Sequence, residues 1–160
     1  MGVGKTTVGR PLAEQLGLRF VDGDDAMQAR TGKTAAAIAA TEGADALHRR
    51  EADVLLELLD EPDPSVIAAA ASVVEDERVV GRLTTDDVTV VWLRARPATL
   101  KRRALAGSHR PFVHDDPSAV ARLDAQRRDA YTALADVTVT VDDRTPTDLV
   151  DEVANTLASL

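Results

Sequence analysis

The chain opens on Met1-Gly2-Val3-Gly4-Lys5-Thr6-Thr7, and this stretch restricts the fold more than any other. Gly4-Lys5-Thr6 supplies the last three positions of the phosphate-loop pattern G-x-x-x-x-G-K-[ST]. Gly2 and Gly4, on either side of Val3, let successive backbone N–H groups turn inward into an anion-binding nest. Lys5 brings a compact positive charge to the β- and γ-phosphates of a nucleotide, and the Thr6 hydroxyl suits Mg²⁺. An apolar-periodic run from Thr7 to Leu16 follows at once, so a helix begins at the loop and aims its positive end at the phosphates. The first Gly of the pattern and the strand that feeds such loops fall before Met1. The expectation is a start placed too late, or a deleted first strand.

Composition narrows the class. With 160 residues, 44% hydrophobic and 29% charged, the chain suits one globular domain, residues 1–160, with a core of its own. No apolar run is long enough for a bilayer, and no export signal precedes the loop, so a cytoplasmic protein is expected. The absence of cysteine excludes disulfide and thiol chemistry. A formal net charge of −8 argues against nucleic acid or a membrane surface as partner. Anionic small molecules must then meet local basic groups.

Strand and helix signals alternate along the chain. Leu18 to Val21 reads as a short strand ending in Asp22-Gly23-Asp24-Asp25, at the carboxyl end where open α/β sheets place ligands. Helices are expected over Ala26–Arg30, Thr34–Glu42 and Ala44–Leu59, with Gly32 and Gly43 as stops. Ser65 to Ser72 reads as a strand buried on both faces, followed by a helix from Val74 to Leu83. Val88 to Leu93 reads as a strand, and Pro97 opens a helix to Leu105. Residues 106–117 combine Gly, His, Arg, Pro and Asp and read as a mobile lid. Ser118–Leu134 is expected as helix, Val137–Val141 as strand and Pro146–Leu160 as a closing helix. The alternation predicts a three-layer α/β/α fold around a parallel sheet.

Taken together, the segments resemble the shikimate kinase family of phosphate-loop small-molecule kinases. The shared residues are Gly-x-Gly-Lys-Thr-Thr-Val-Gly-Arg with Leu12-Ala13 and Leu16-Gly17, and Phe20-Val21-Asp22-x-Asp24. Thr31-Gly32, Glu42-Gly43, Arg49, Glu51, Arg110-Pro111, and Arg127 four residues before Tyr131 complete the set. The resemblance implies a five-stranded parallel sheet of order 2-3-1-4-5, its first strand apparently missing here. It implies transfer of the γ-phosphoryl group of ATP to a hydroxyl of shikimate, with Mg²⁺ and a closing lid, by a monomer.

Site roles follow from chemistry and resemblance together. Gly2, Val3, Gly4, Lys5, Thr6 and Thr7 would hold the nucleotide phosphates. Phosphoryl transfer depends on positioning and charge neutralisation rather than covalent help. Thr6 and Asp22 would attend Mg²⁺, and Asp24 would take or orient the proton of the attacking hydroxyl. Turn formation and helix capping are the alternative for Asp22 and Asp24. The resemblance assigns Arg110, in the lid, to the γ-phosphate, and Arg103 and Arg144 to further nucleotide contacts. A solvated helical charge is the alternative for Arg103. It assigns Arg127 to a substrate carboxylate and places Ala71 against the substrate ring.

Two departures lie in the acceptor pocket. His48 stands where the family has an arginine that grips the shikimate carboxylate, with Arg49 one step away. A histidine offers at most two donors. Ala70-Ala71-Ser72 stands where the family has three glycines, which shrinks the pocket and disfavours positive φ there. Two other readings therefore stay open. One is a kinase of a different small acceptor, such as a nucleoside or gluconate, since Asp22-Gly23-Asp24 is similar to gluconate kinases. The other is a degenerate nucleotide-binding protein without activity.

Overall fold

Local chemistry sets most element boundaries in the computed structural model, which describes residues 2–106 and 119–160. The elements are α1 (Lys5–Leu16), β1 (Arg19–Asp22), α2 (Gly23–Thr31), α3 (Ala35–Glu42), α4 (Ala44–Leu59) and β2 (Ser65–Ala68). A single 3₁₀ turn (Val73–Glu75) leads to α5 (Glu77–Leu83), β3 (Val91–Arg94) and α6 (Pro97–Ala106). The chain continues with α7 (Ala119–Leu134), β4 (Val137–Thr140) and α8 (Pro146–Leu157). Side chains of Asp22, Thr34, Asp76 and Thr145 accept backbone N–H groups at the starts of α2, α3, α5 and α8. At α8 this becomes a full capping box with Asp148, with Pro146 in the first turn.

All strand pairing is parallel. β1 runs beside β2, from Arg19 opposite Ser65 to Asp22 opposite Ala68. β3 runs beside β4, from Val91 opposite Val137 to Arg94 opposite Thr140. These match the two outer pairs of the expected order 2-3-1-4-5. Among the described residues the pairs do not join into one sheet. Between them lies a largely apolar cavity of about 800 Å³, walled by Val66 and Ala68 of β2, Val91 and Leu93 of β3, and Val8 and Leu12 of α1.

That cavity accounts for one correction. The strand expected over 65–72, buried on both faces, is only four residues long and mostly half-buried. One side of it faces the cavity, and beyond Ala68 the chain leaves the sheet and turns at 73–75. The strand expected from Val88 starts at Val91. The helix expected from Val74 is split, because Asp76 caps a new helix after the 3₁₀ turn. At the other end of β1, α2 begins at Gly23 rather than Ala26, since Asp22 already caps it.

α1 holds the halves together. It packs on β1, β2 and α8. Val8 and Leu12 join the cluster built on Val137, Val139, Leu149 and Val153. Gly9 lets α1 lie close over β1, because a Cβ there would sit 2.8 Å from the Phe20 ring. A separate cluster of Met27, Ile38, Leu47, Val54 and Leu58 ties α2 and α3 to α4. Pro11 lies inside α1 on its exposed side and cannot donate to the Thr7 carbonyl.

Replacing Pro11 with Ala restores that hydrogen bond. Weighing the interior-proline cost against the proline's restriction of the unfolded chain, Pro11→Ala is expected to add about 2 kcal/mol of stability. Urea unfolding followed by circular dichroism measures this, and an unchanged or lower midpoint would show that α1 has adapted fully to its proline.

Candidate active site

The start of α1 and the end of β1 meet at one point. Gly2 and Gly4 take positive φ of 71° and 99°, which side chains other than glycine rarely adopt. Gly4 is the N-cap of α1, with no side-chain cap bond and no acidic residue in the first turn. The positive potential of that helix end is therefore not met by a capping side chain. The Thr6 hydroxyl donates to Asp22 Oδ2 at 2.8 Å, while Asp22 Oδ1 accepts from the Asp24 N–H at 3.1 Å. Asp22 thus caps α2 and at the same time faces Thr6. From α6, Arg103 donates to the Val3 carbonyl at 3.3 Å, which brings its guanidinium to the glycine-bracketed loop.

The hydroxyl–carboxylate pair of Thr6 and Asp22 fits Mg²⁺. This ion keeps several waters, takes one or two carboxylates from protein, and draws other oxygens from phosphates. No cluster of three or more His, Cys, Asp or Glu that could hold a metal occurs among the described residues.

A second group of side chains surrounds the end of β2. Asp24 is exposed on the first turn of α2, and its charge is felt by Glu51 on α4. Burial pushes the Glu51 carboxyl above its ordinary range, and a hydrogen bond from Ser72 only partly offsets that. Arg127, on α7, is 7% exposed and makes a two-pronged contact with Glu75: Nε to Oε1 at 2.9 Å and Nη2 to Oε2 at 3.0 Å. His48 Nδ1 lies 3.9 Å from the same Oε2. Tyr131 donates its hydroxyl to the Ala71 carbonyl at 2.8 Å. Burial pushes that phenol up to about 12, so it stays protonated at neutral pH and keeps donating. Its ring stacks on Trp92, centroids 5.4 Å apart. No residue from Ala70 to Ser72 has positive φ, as their side chains require.

Most of the expected site residues fall into these two groups. Thr6, Asp22 and Asp24 converge, with Gly2, Val3, Gly4 and Arg103 beside them. His48 and Arg127 converge on Glu75, with Ala71 nearby through Tyr131. Lys5 and Thr7 occupy the first turn of α1. Arg144 is engaged elsewhere, bonded to Glu152 and donating to the Asp148 carbonyl at 3.1 Å. Arg110, with the rest of the expected lid beyond Ala106, lies outside the described residues. Glu75 was not anticipated from the sequence, and neither were the contacts that Ser72 and Tyr131 make. Glu75 contacts Arg127 across 52 positions of sequence, and no local pattern announces such a pair.

The family model for shikimate kinase matches residues 1–158. The chain belongs to the shikimate kinase family. It is 37% identical to a shikimate kinase of Symbiobacterium thermophilum over 98% of this chain and 91% of that one. It is 31% identical to a shikimate kinase of Francisella philomiragia over 98% of this chain and 90% of the relative. In three dimensions it is similar to the shikimate kinase from Acinetobacter baumannii in complex with shikimate. That likeness has a TM-score of 0.86 and 28% identity, over 99% of this chain and 89% of that one. The shikimate kinase family phosphorylates with ATP, and its three-layer phosphate-loop fold is the fold of this chain.

The raised Glu51 carboxyl makes stability depend on pH. The folded state favours the protonated form, so this contribution is full below the ordinary value of 4.5 and is lost as pH rises through the raised one. Glu51→Gln stays neutral throughout. Its stability relative to the parent is expected to increase between about pH 4 and about pH 7, in urea unfolding at several pH values. Parallel profiles for the two proteins would mean that solvent reaches Glu51 freely.

Proposed function

We propose that the chain transfers the γ-phosphoryl group of ATP to a hydroxyl of shikimate. The observation that carries this reading is the Thr6–Asp22 contact at 2.8 Å, beside an uncapped, glycine-bracketed helix start. A phosphate site and a site for a hydroxylated acceptor then share the short segment from Asp22 to Asp24.

In this reading the amides of the loop at Gly2, Val3 and Gly4 and of the first turn at Lys5, Thr6 and Thr7 receive the phosphates, helped by the α1 dipole. Lys5 offsets charge that gathers on the transferring group. Thr6 and Asp22 would hold Mg²⁺, which when bound would offset the charge of the phosphates. Asp24 orients the acceptor hydroxyl and takes its proton as the oxygen–phosphorus bond forms and ADP departs. Arg103 secures the nucleotide side of the loop, and Arg144 serves there once released from Glu152. Arg127 and His48 receive the acceptor carboxylate, with Ala71 against its ring. Residues 106–117 close as a lid that brings Arg110 to the γ-phosphate, where a guanidinium matches two oxygens at once. The enzyme works as a cytoplasmic monomer with small molecules as its only partners, all within one domain of residues 1–160. Among the described residues no helix is long and apolar enough to cross a membrane.

ADP release measured with shikimate, gluconate and nucleosides tests the acceptor. Release with shikimate alone supports the proposal, and release only with another acceptor replaces it. Lys5→Ala is expected to lower turnover at least about a hundredfold, the scale on which removing one transition-state donor acts. Full turnover in that variant would take the loop out of the mechanism. Asp22→Asn is expected to raise the Mg²⁺ concentration needed for half-maximal rate by about tenfold or more. Titration of rate against Mg²⁺ reads this directly, and an unshifted curve would remove Asp22 from the metal site.

A further inference from the structure

A buried guanidinium needs a partner, and the one Arg127 has chosen is informative. Two parallel N–H···O bonds, at 2.9 and 3.0 Å, are the arrangement by which arginine receives any free carboxylate. The two sides of the pair are unequal. The Arg127 side chain is 8% exposed, whereas the Glu75 side chain is 44% exposed. Arg127 is held by α7, while Glu75 ends a single 3₁₀ turn. Rotation of its side chain carries the Glu75 carboxylate into water at little cost, but Arg127 cannot follow without becoming a costly unpaired buried charge. The same carboxylate also stands 3.9 Å from His48 Nδ1. Both groups proposed to receive an acceptor's carboxylate therefore already face one.

We infer that Glu75 is a specificity-determining residue that occupies the carboxylate subsite of the pocket and is exchanged for the carboxylate of an acidic acceptor. This rests on the acceptor reading given above. An acid that enters must supply the two oxygens that Glu75 withdraws, so the exchange conserves the bonds to Arg127. A neutral polyol gains nothing from it, and a second carboxylate cannot be added without placing two negative charges on one guanidinium. Glu75 thus weakens acid binding by competition and excludes acids that fail to reach Arg127 with both oxygens. Glu51 is bonded to Ser72 and also feels the Arg127 charge, whereas the two-pronged contact belongs to Glu75.

The test compares the parent protein with Glu75→Gln, and with Glu75→Ser in case the first variant folds poorly. Binding of shikimate and of its neutral carboxamide is measured by calorimetry and through fluorescence of Trp92, the single tryptophan, which stacks on Tyr131. Removing the competing charge is expected to tighten shikimate about tenfold, the scale of one charged hydrogen-bonded contact, while carboxamide binding and the KM for ATP stay put. Unchanged or weaker shikimate binding in a folded variant would overturn the inference, because Glu75 would then only brace Arg127. Equal tightening of acid and carboxamide would overturn it as well. Failure of the acceptor reading shows separately. If acid binding tightens in the variant while the parent phosphorylates a different acceptor and leaves shikimate unaltered, the exchange stands and the proposed acceptor falls.

Discussion

A helix whose first amides have no internal partner is a fixed concentration of positive potential, and here it opens at Gly4 with no side-chain cap. The left-handed backbone at Gly2 and Gly4 sets the direction of those amides. The contact from Thr6 to Asp22 then decides what faces them. It draws the end of β1 to the start of α1, and Asp22 in turn caps α2 and so positions Asp24. One carboxylate links the glycine-bracketed loop, Thr6 and Asp24. The packing of α1 against β1, β2 and α8 holds that junction together.

The acceptor side follows a different logic. Its groups come from separate segments: Asp24 from α2, His48 and Glu51 from α4, Ser72 and Glu75 after β2, and Arg127 and Tyr131 from α7. No single element orders them. They are held by a network of polar contacts in which each buried group has found a partner, as the low local dielectric demands. Ala70, Ala71 and Ser72 add side chains along this wall, yet the wall is not simply blocked. The Ala71 carbonyl is used by Tyr131, and the Ser72 hydroxyl by Glu51.

The glycine-bracketed loop before α1, parallel pairing and most helix ends were legible in the chain itself, because each depends on residues a few positions apart. Gly4-Lys5-Thr6 marks the start of α1, and Pro146 opens the closing helix. The misplaced strand end has a tertiary cause. The run from Ser65 to Ser72 is apolar throughout, but whether it stays in a sheet depends on what lies beside it. With a cavity of about 800 Å³ along one edge, only Ser65–Ala68 remains strand.

Sequence alone determined the nucleotide half of this protein, since backbone conformation at two glycines and the identity of three following residues are local properties. Tertiary structure alone decided which partners the remote charged side chains take. The engagement of Arg127 with Glu75, the raised Glu51 carboxyl and the commitment of Arg144 to Glu152 are all products of burial and distance between remote segments. Charge pairing in a low-dielectric interior is set by which groups arrive together, and that depends on the packed chain rather than on any one stretch of it.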